Sequence, residues 1–186
     1  MKELSLNILD ITENSITAKA SLIYITLTET DETLTISISD DGCGMSEEMV
    51  KNVVDPFCTT RTTRKVGLGI PLLRLAAEQT GGSLSVTSKT AAEHPGDHGT
   101  TTSATFFKNH IDYTPLGDVT STLTTLIQGL GDSPDIVFSH TYGENEVSLD
   151  TRELKEQLEG IPLSTPDVLV WIGEYLSEQY QNLYTK

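Results

Sequence analysis

Asp10, Glu13 and Asn14 fall within five positions of one another in "ILDITENSITAKA", residues 8–20 of a 186-residue chain. Residues four apart on a helix share a face, so Asp10 and Asn14 project together, while Glu13 lies ~100° round from Asn14. A carboxylate and an amide oxygen on one face are hard-oxygen groups of the kind Mg²⁺ accepts while keeping several waters. The carboxylate one turn back can position or deprotonate an attacking water. Solvated surface is the alternative reading. Asp10 and Asn14 border an apolar stripe, however, where a polar pair needs a reason.

Three further stretches carry chemistry. In "SDDGCGM", residues 39–45, Asp40 ends a strand and can accept a hydrogen bond from an exocyclic amine. Gly42 and Gly44 allow tight backbone so that a flat ligand can approach, and Met45 offers a polarizable side chain to a ring face. A turn that merely needs glycine explains the same stretch. In "VGLGIPLL", residues 66–73, Gly67, Leu68 and Gly69 open a helix whose free N–H groups form an anion site. A glycine hinge is the plainer reading, and the spacing matches neither a Walker A loop nor a dinucleotide fingerprint. Between them, "DPFCTTRTTRK" places Arg61, Arg64 and Lys65 among hydroxyls, a set suited to the end of a triphosphate or to an ordinary solvated loop.

The elements that must position these groups are read from periodicity. Leu4, Ile8, Ile11, Ser15 and Ala18 form one stripe of a helix over residues 3–18, widened by Leu6, Leu9 and Ile16. "SLIYITLTE" and "TLTISISDD" alternate as a hairpin. "SEEMVKNVV" is a short helix capped by Ser46. Residues 55–67 form a long polar loop of the kind that serves as a lid. "GIPLLRLAAEQTGG" is an amphipathic helix closed by Gly81–Gly82, followed by the strands "SLSVTSK" and "TTTSATFF". The order predicts an α+β fold, a layered sandwich with helices on one face of a mixed sheet. Farther on, "DVTSTLTTLIQGL", "TRELKEQLEG" and "TPDVLVWIGEYLSEQYQNL" read as helices and "DIVFSHTY" with "NEVSLDT" as a hairpin. Trp171, Tyr175 and Tyr180 are expected to form a small core there.

Composition bounds the function. The net charge is −15, which argues against nucleic acid and anionic membrane as partners. Residues 1–109 carry 14 acids against 9 bases and residues 110–186 carry 13 against 3, so a second, more acidic segment is expected after residue 109. Two cysteines, Cys43 and Cys58, make no disulfide framework and fit a cytosolic protein. No apolar run approaches the ~20 residues of a membrane span.

In this order, the four stretches resemble the GHKL superfamily of ATPases, which includes type II topoisomerases, heat-shock chaperones, sensor histidine kinases and MutL-type repair proteins. "DITENSITAKA" looks like the N box, "DDGCGM" like the adenine box, "DPFCTTRT" like the phenylalanine box and lid of histidine and anti-sigma-factor kinases, and "GLGIPLLRLAAEQTGGSLSV" like the second glycine box with its helix and strand. "GTTTSATF" resembles the closing strand, so the match covers about residues 1–108. The resemblance implies a Bergerat-type sandwich binding Mg-ATP. It implies that Asn14 ligates Mg²⁺ and that Asp40 binds the adenine amino group beside Gly42, Gly44 and Met45. It further implies that Gly67, Leu68 and Gly69 hold phosphates, that Lys65 or a lid arginine reaches the terminal phosphate, and that Thr100 lies near adenine. Asp10 takes the water-activating position, where hydrolysing members carry Glu, one methylene longer. The start of the N box near residue 1 leaves no helical hairpin with a phosphoacceptor His, so autophosphorylation by this chain alone is not expected. The expected activity is a small ATPase or a protein kinase toward a partner protein. The alternative is a non-catalytic module whose lid and C-terminal segment respond to nucleotide. The resemblance leaves room for a homodimer.

Overall fold

Alternation of apolar and hydroxyl side chains builds the sheet. In β1 (Leu22–Glu29), Ile23, Ile25 and Leu27 are buried, and in β2 (Thr33–Asp40), Leu34, Ile36 and Ile38 are buried. The two strands pair antiparallel with Ile25 opposite Ile38 and Leu27 opposite Ile36, so both apolar sets meet on one face. This computed structural model describes residues 3–54 and 68–185.

The first half follows the expected order of helices and strands, while the expected lid over residues 55–67 lies outside the described residues. α1 (Leu4–Thr17) precedes the β1–β2 hairpin, and α2 (Glu47–Val54) and α3 (Gly69–Gln79) precede β3 (Ser83–Lys89) and β4 (Gly99–Phe107). Ser46 caps α2 by accepting from the Met49 N–H at 3.3 Å. Beyond it, α4 (Val119–Gly129), β5 (Asp135–Tyr142), β6 (Asn145–Asp150), α5 (Thr151–Gln157) and α6 (Pro166–Leu183) complete the described chain.

The strands form one six-stranded sheet in the order β3-β4-β2-β1-β5-β6. β5 runs parallel to β1, with Leu22 opposite Asp135 and Glu29 opposite Tyr142, and the remaining pairings are antiparallel. The sheet is therefore mixed, as expected. The β5–β6 hairpin is also expected, but its attachment to β1 is not foreshadowed by any local pattern. Residues 110–185 thus lengthen the sheet and share its core: Ile136, Phe138, Val147 and Leu149 are buried with Leu123 and Ile127 of α4 and Ile172 and Leu176 of α6. The opposite face of the sheet is lined with hydroxyls, among them Thr35 with Thr105 (3.0 Å) and Ser39 with Thr101 (2.8 Å).

One expectation is overturned. Trp171 and Tyr175 are not core residues: they are 46% and 38% exposed and stack on each other with ring centroids 5.3 Å apart. Val168, Ile172 and Leu176 occupy the buried stripe of α6, which leaves 171 and 175 on the neighbouring one. Tyr180, by contrast, packs against the core as expected and also reaches His140. Among the described residues no helix is long and apolar enough to cross a membrane.

Candidate functional site

Strand register creates the centre of the site. Asp40, the last residue of β2, pairs with Thr100 near the start of β4, and the Thr100 N–H lies 3.3 Å from Asp40 Oδ1. The Gly42 N–H donates to the same oxygen at 2.9 Å. From α1, the Ser15 hydroxyl donates to Asp40 Oδ2 at 2.6 Å. Three elements therefore aim and hold one half-buried carboxylate, which keeps lone pairs for a ligand.

The glycine loop after Asp40 is clamped on both sides. The Cys43 N–H donates to the Ala18 carbonyl at 3.0 Å, and the Ala91 N–H donates to the Cys43 carbonyl at 3.0 Å. His98 Nδ1 lies 2.7 Å from the Gly42 carbonyl, so the ring carries its proton on Nδ1. Gly44 has φ +69°, and a Cβ there would overlap the Lys89 carbonyl, so glycine is required. Ser88 ties the loop to the sheet: its hydroxyl accepts from the Met45 N–H (2.7 Å), donates to the Gly99 carbonyl (2.9 Å) and lies 2.8 Å from Thr100 Oγ1. Met45 is half-buried against the core.

Asp10 and Asn14 are half-buried on α1, whereas Glu13 is exposed. Neither Asp10 nor Asn14 uses its side chain in a hydrogen bond or ion pair among the described residues. Asp10 faces the start of α3: a Cβ placed on Gly69 would lie 3.0 Å from the Asp10 Cβ. The structure thus brings Asp10 to Gly69, and Ser15, one residue past Asn14, to Asp40. Leu68 stands at the N-cap of α3 and is 63% exposed. Lys65 and Gly67, with Arg61 and Arg64, lie outside the described residues. Among the described residues no three His, Cys, Asp or Glu side chains group as metal ligands. An ion here would depend on Asn14 and on oxygens the ligand brings, and the unpartnered amide and carboxylate suit that chemistry.

Ser15, Ser88 and His98 are contributors that the sequence reading does not single out. Ser15 had a signal, a hydroxyl inside an otherwise apolar helical stripe. Ser88 and His98 had none, because their partners are distant in sequence.

A mixed six-stranded sheet with its core under helices α1, α3, α4 and α6 has the layout of a Bergerat-type sandwich, the fold of GHKL-type ATPase domains. The chain belongs to the histidine kinase-, DNA gyrase B- and HSP90-like ATPases, whose family model matches residues 1–128. The signal transduction histidine-protein kinase AtoS of Escherichia coli K12 is 36% identical over 72 residues, which cover 39% of this chain and 12% of AtoS. The ATPase domain of Aquifex aeolicus MutL, solved with ADP, superposes with a TM-score of 0.51 at 16% identity, covering 86% of this chain and 68% of that one. The N-terminal domain of a DNA repair protein gives 0.52 at 17% identity, covering 80% and 53%. The chain thus spans a small part of AtoS and about half of the repair domain.

Proposed function

We propose that this chain binds Mg-ATP between α1, the Asp40 loop and α3, and acts as a small ATPase or as a protein kinase toward a partner protein. The observation that carries the proposal is the Ser15–Asp40 bond, which joins α1, the helix of Asp10 and Asn14, to the carboxylate at the end of β2. In this reading Asp40 accepts from the adenine amino group, with Gly42, Gly44, Met45 and Thr100 shaping the base pocket. Asn14 would hold Mg²⁺, which would offset the charge of the phosphates when bound. Gly69, Leu68 and, from the residues not described, Gly67 and Lys65 take the phosphate chain. Asp10 orients or deprotonates the attacking water or hydroxyl.

Isothermal titration with Mg-ATP tests binding. Asp40→Asn is expected to abolish it, and Asn14→Ala to remove its Mg²⁺ dependence. Wild-type titration curves from both variants would place the nucleotide elsewhere.

The shorter acid at position 10 favours a second reading, a regulatory module that binds ATP without turning it over. Phosphate release separates the two. For an enzyme, Asp10→Asn lowers turnover by roughly 10²-fold or more while ATP affinity stays within a few fold. For a module, ATP binds with no turnover and no labelled phosphate reaches a partner.

A further inference from the structure

The stacked Trp171–Tyr175 pair forms one wall of a hollow of about 390 Å³, bounded by β5, β6, α5 and α6. β6 is the outermost strand, separated from β2 and its Asp40 by β1 and β5. The hollow is acidic. Glu146 and Glu153 line it, and neither carboxylate makes an ion pair among the described residues. Asp150 also lines it but is neutralised by Arg152, whose Nη2 lies 2.6 Å from Oδ2. Among the described residues no Lys, Arg or His lines the hollow, while Gln157, Ser139 and Ser148 add neutral polar groups.

An aromatic face beside free carboxylates is the chemistry that recognises an organic cation. A planar guanidinium fits better than an ammonium, because it stacks on indole while its N–H groups fork to carboxylates. The free edge of β6 constrains how such a cation arrives. Gln179 occupies the centre of that edge, accepting from the Ser148 N–H at 3.0 Å and donating to its carbonyl at 3.1 Å. A peptide is therefore hindered from adding as a seventh strand and must engage by a side chain.

We infer that this hollow receives an arginine side chain from a basic segment of a partner protein. Charge complementarity selects that occupant, since residues 110–186 carry 13 acids against 3 bases. The inference goes beyond the nucleotide reading and does not depend on it.

Trp171 is the single tryptophan of the chain, so its fluorescence reports on this site alone. The probe is a short acetylated glycine peptide bearing one arginine, compared with the same peptide bearing citrulline, which keeps the shape and removes the charge. The arginine peptide is expected to change Trp171 emission saturably and the citrulline peptide is not. Glu146→Gln combined with Glu153→Gln should weaken the arginine peptide roughly tenfold, and both positions are exposed enough to leave folding intact. Asp40→Asn should leave peptide binding unchanged, which separates this site from the nucleotide site. No saturable response to arginine, an equal response to citrulline, or parental affinity in the double variant would each overturn the inference.

Discussion

Asp40 can serve a ligand only while its carboxylate is held in one orientation, and Ser15 supplies the side-chain donor that holds Oδ2. Ser15 is buried, so removing its hydroxyl leaves that oxygen without its protein partner. Ser15→Ala is expected to weaken ATP roughly five- to twentyfold, about 1–2 kcal/mol, without unfolding the protein. Titration calorimetry on a variant with an unchanged melting curve checks it, and unaltered affinity would show that the backbone donors suffice. Glu13→Ala is the paired control: Glu13 is exposed, and neither ATP affinity nor stability should move. At this scale the sequence was informative where helical spacing alone sets the placement, as it does for Asp10 and Asn14, both half-buried on α1. It was silent on Ser88 and on His98, which meets Gly42 across 56 positions, because only folded strands create those neighbours.

Elements near the site are coupled through the glycine loop, which lies between the end of α1 and the β3–β4 connection. Gly44→Ala places a Cβ against the Lys89 carbonyl at φ +69°. The expected result is a loss of about 1–3 kcal/mol in stability together with a loss of ATP affinity, since the shift reaches Met45 and through Ser88 also Thr100. Urea titration and calorimetry on one sample read both quantities. Loss of stability with intact affinity would show the loop to be structural only. The elements themselves were legible because each carries its own period: α1 reads at 3.6 and β1 and β2 at 2. The parallel pairing of β5 with β1 was not legible. Parallel partners sit far apart in sequence, and nothing in "DIVFSHTY" names the strand it will join. Trp171 and Tyr175 were misplaced for a related reason, since α6 offers two adjacent apolar stripes and only packing decides which one is buried.

The whole molecule is closed at the end of the sheet opposite Asp40 by one buried acid. Glu29, 8% exposed, sits at the end of β1 and accepts from Lys108 Nζ (2.5 Å), His140 Nε2 (2.9 Å) and the Tyr184 hydroxyl (2.9 Å). These groups come from just beyond β4, from β5 and from just beyond α6, so Glu29 fastens the C-terminal segments to the first half of the chain. Tyr180 lies 3.1 Å from His140 Nδ1 and extends the network into α6. Burial alone would raise the Glu29 pKa, but the hydrogen bonds from His140, Lys108 and Tyr184 outweigh it and lower the value from 4.5 to about 2. A carboxyl with a depressed folded pKa stabilises the fold above its unfolded value and loses that contribution as pH falls through the folded one. Glu29 therefore contributes on the order of 3 kcal/mol at neutral pH, lost between about pH 4.5 and pH 2. Glu29→Gln should destabilise the protein by roughly 2–3 kcal/mol at pH 7, because Lys108 is left partly buried beside a neutral group. The deficit should shrink as the wild type is acidified, and the two stability curves should converge near pH 2. Chemical denaturation at stepped pH measures both curves. A constant gap between them across that window would show that Glu29 holds the segments by packing and not by its charge.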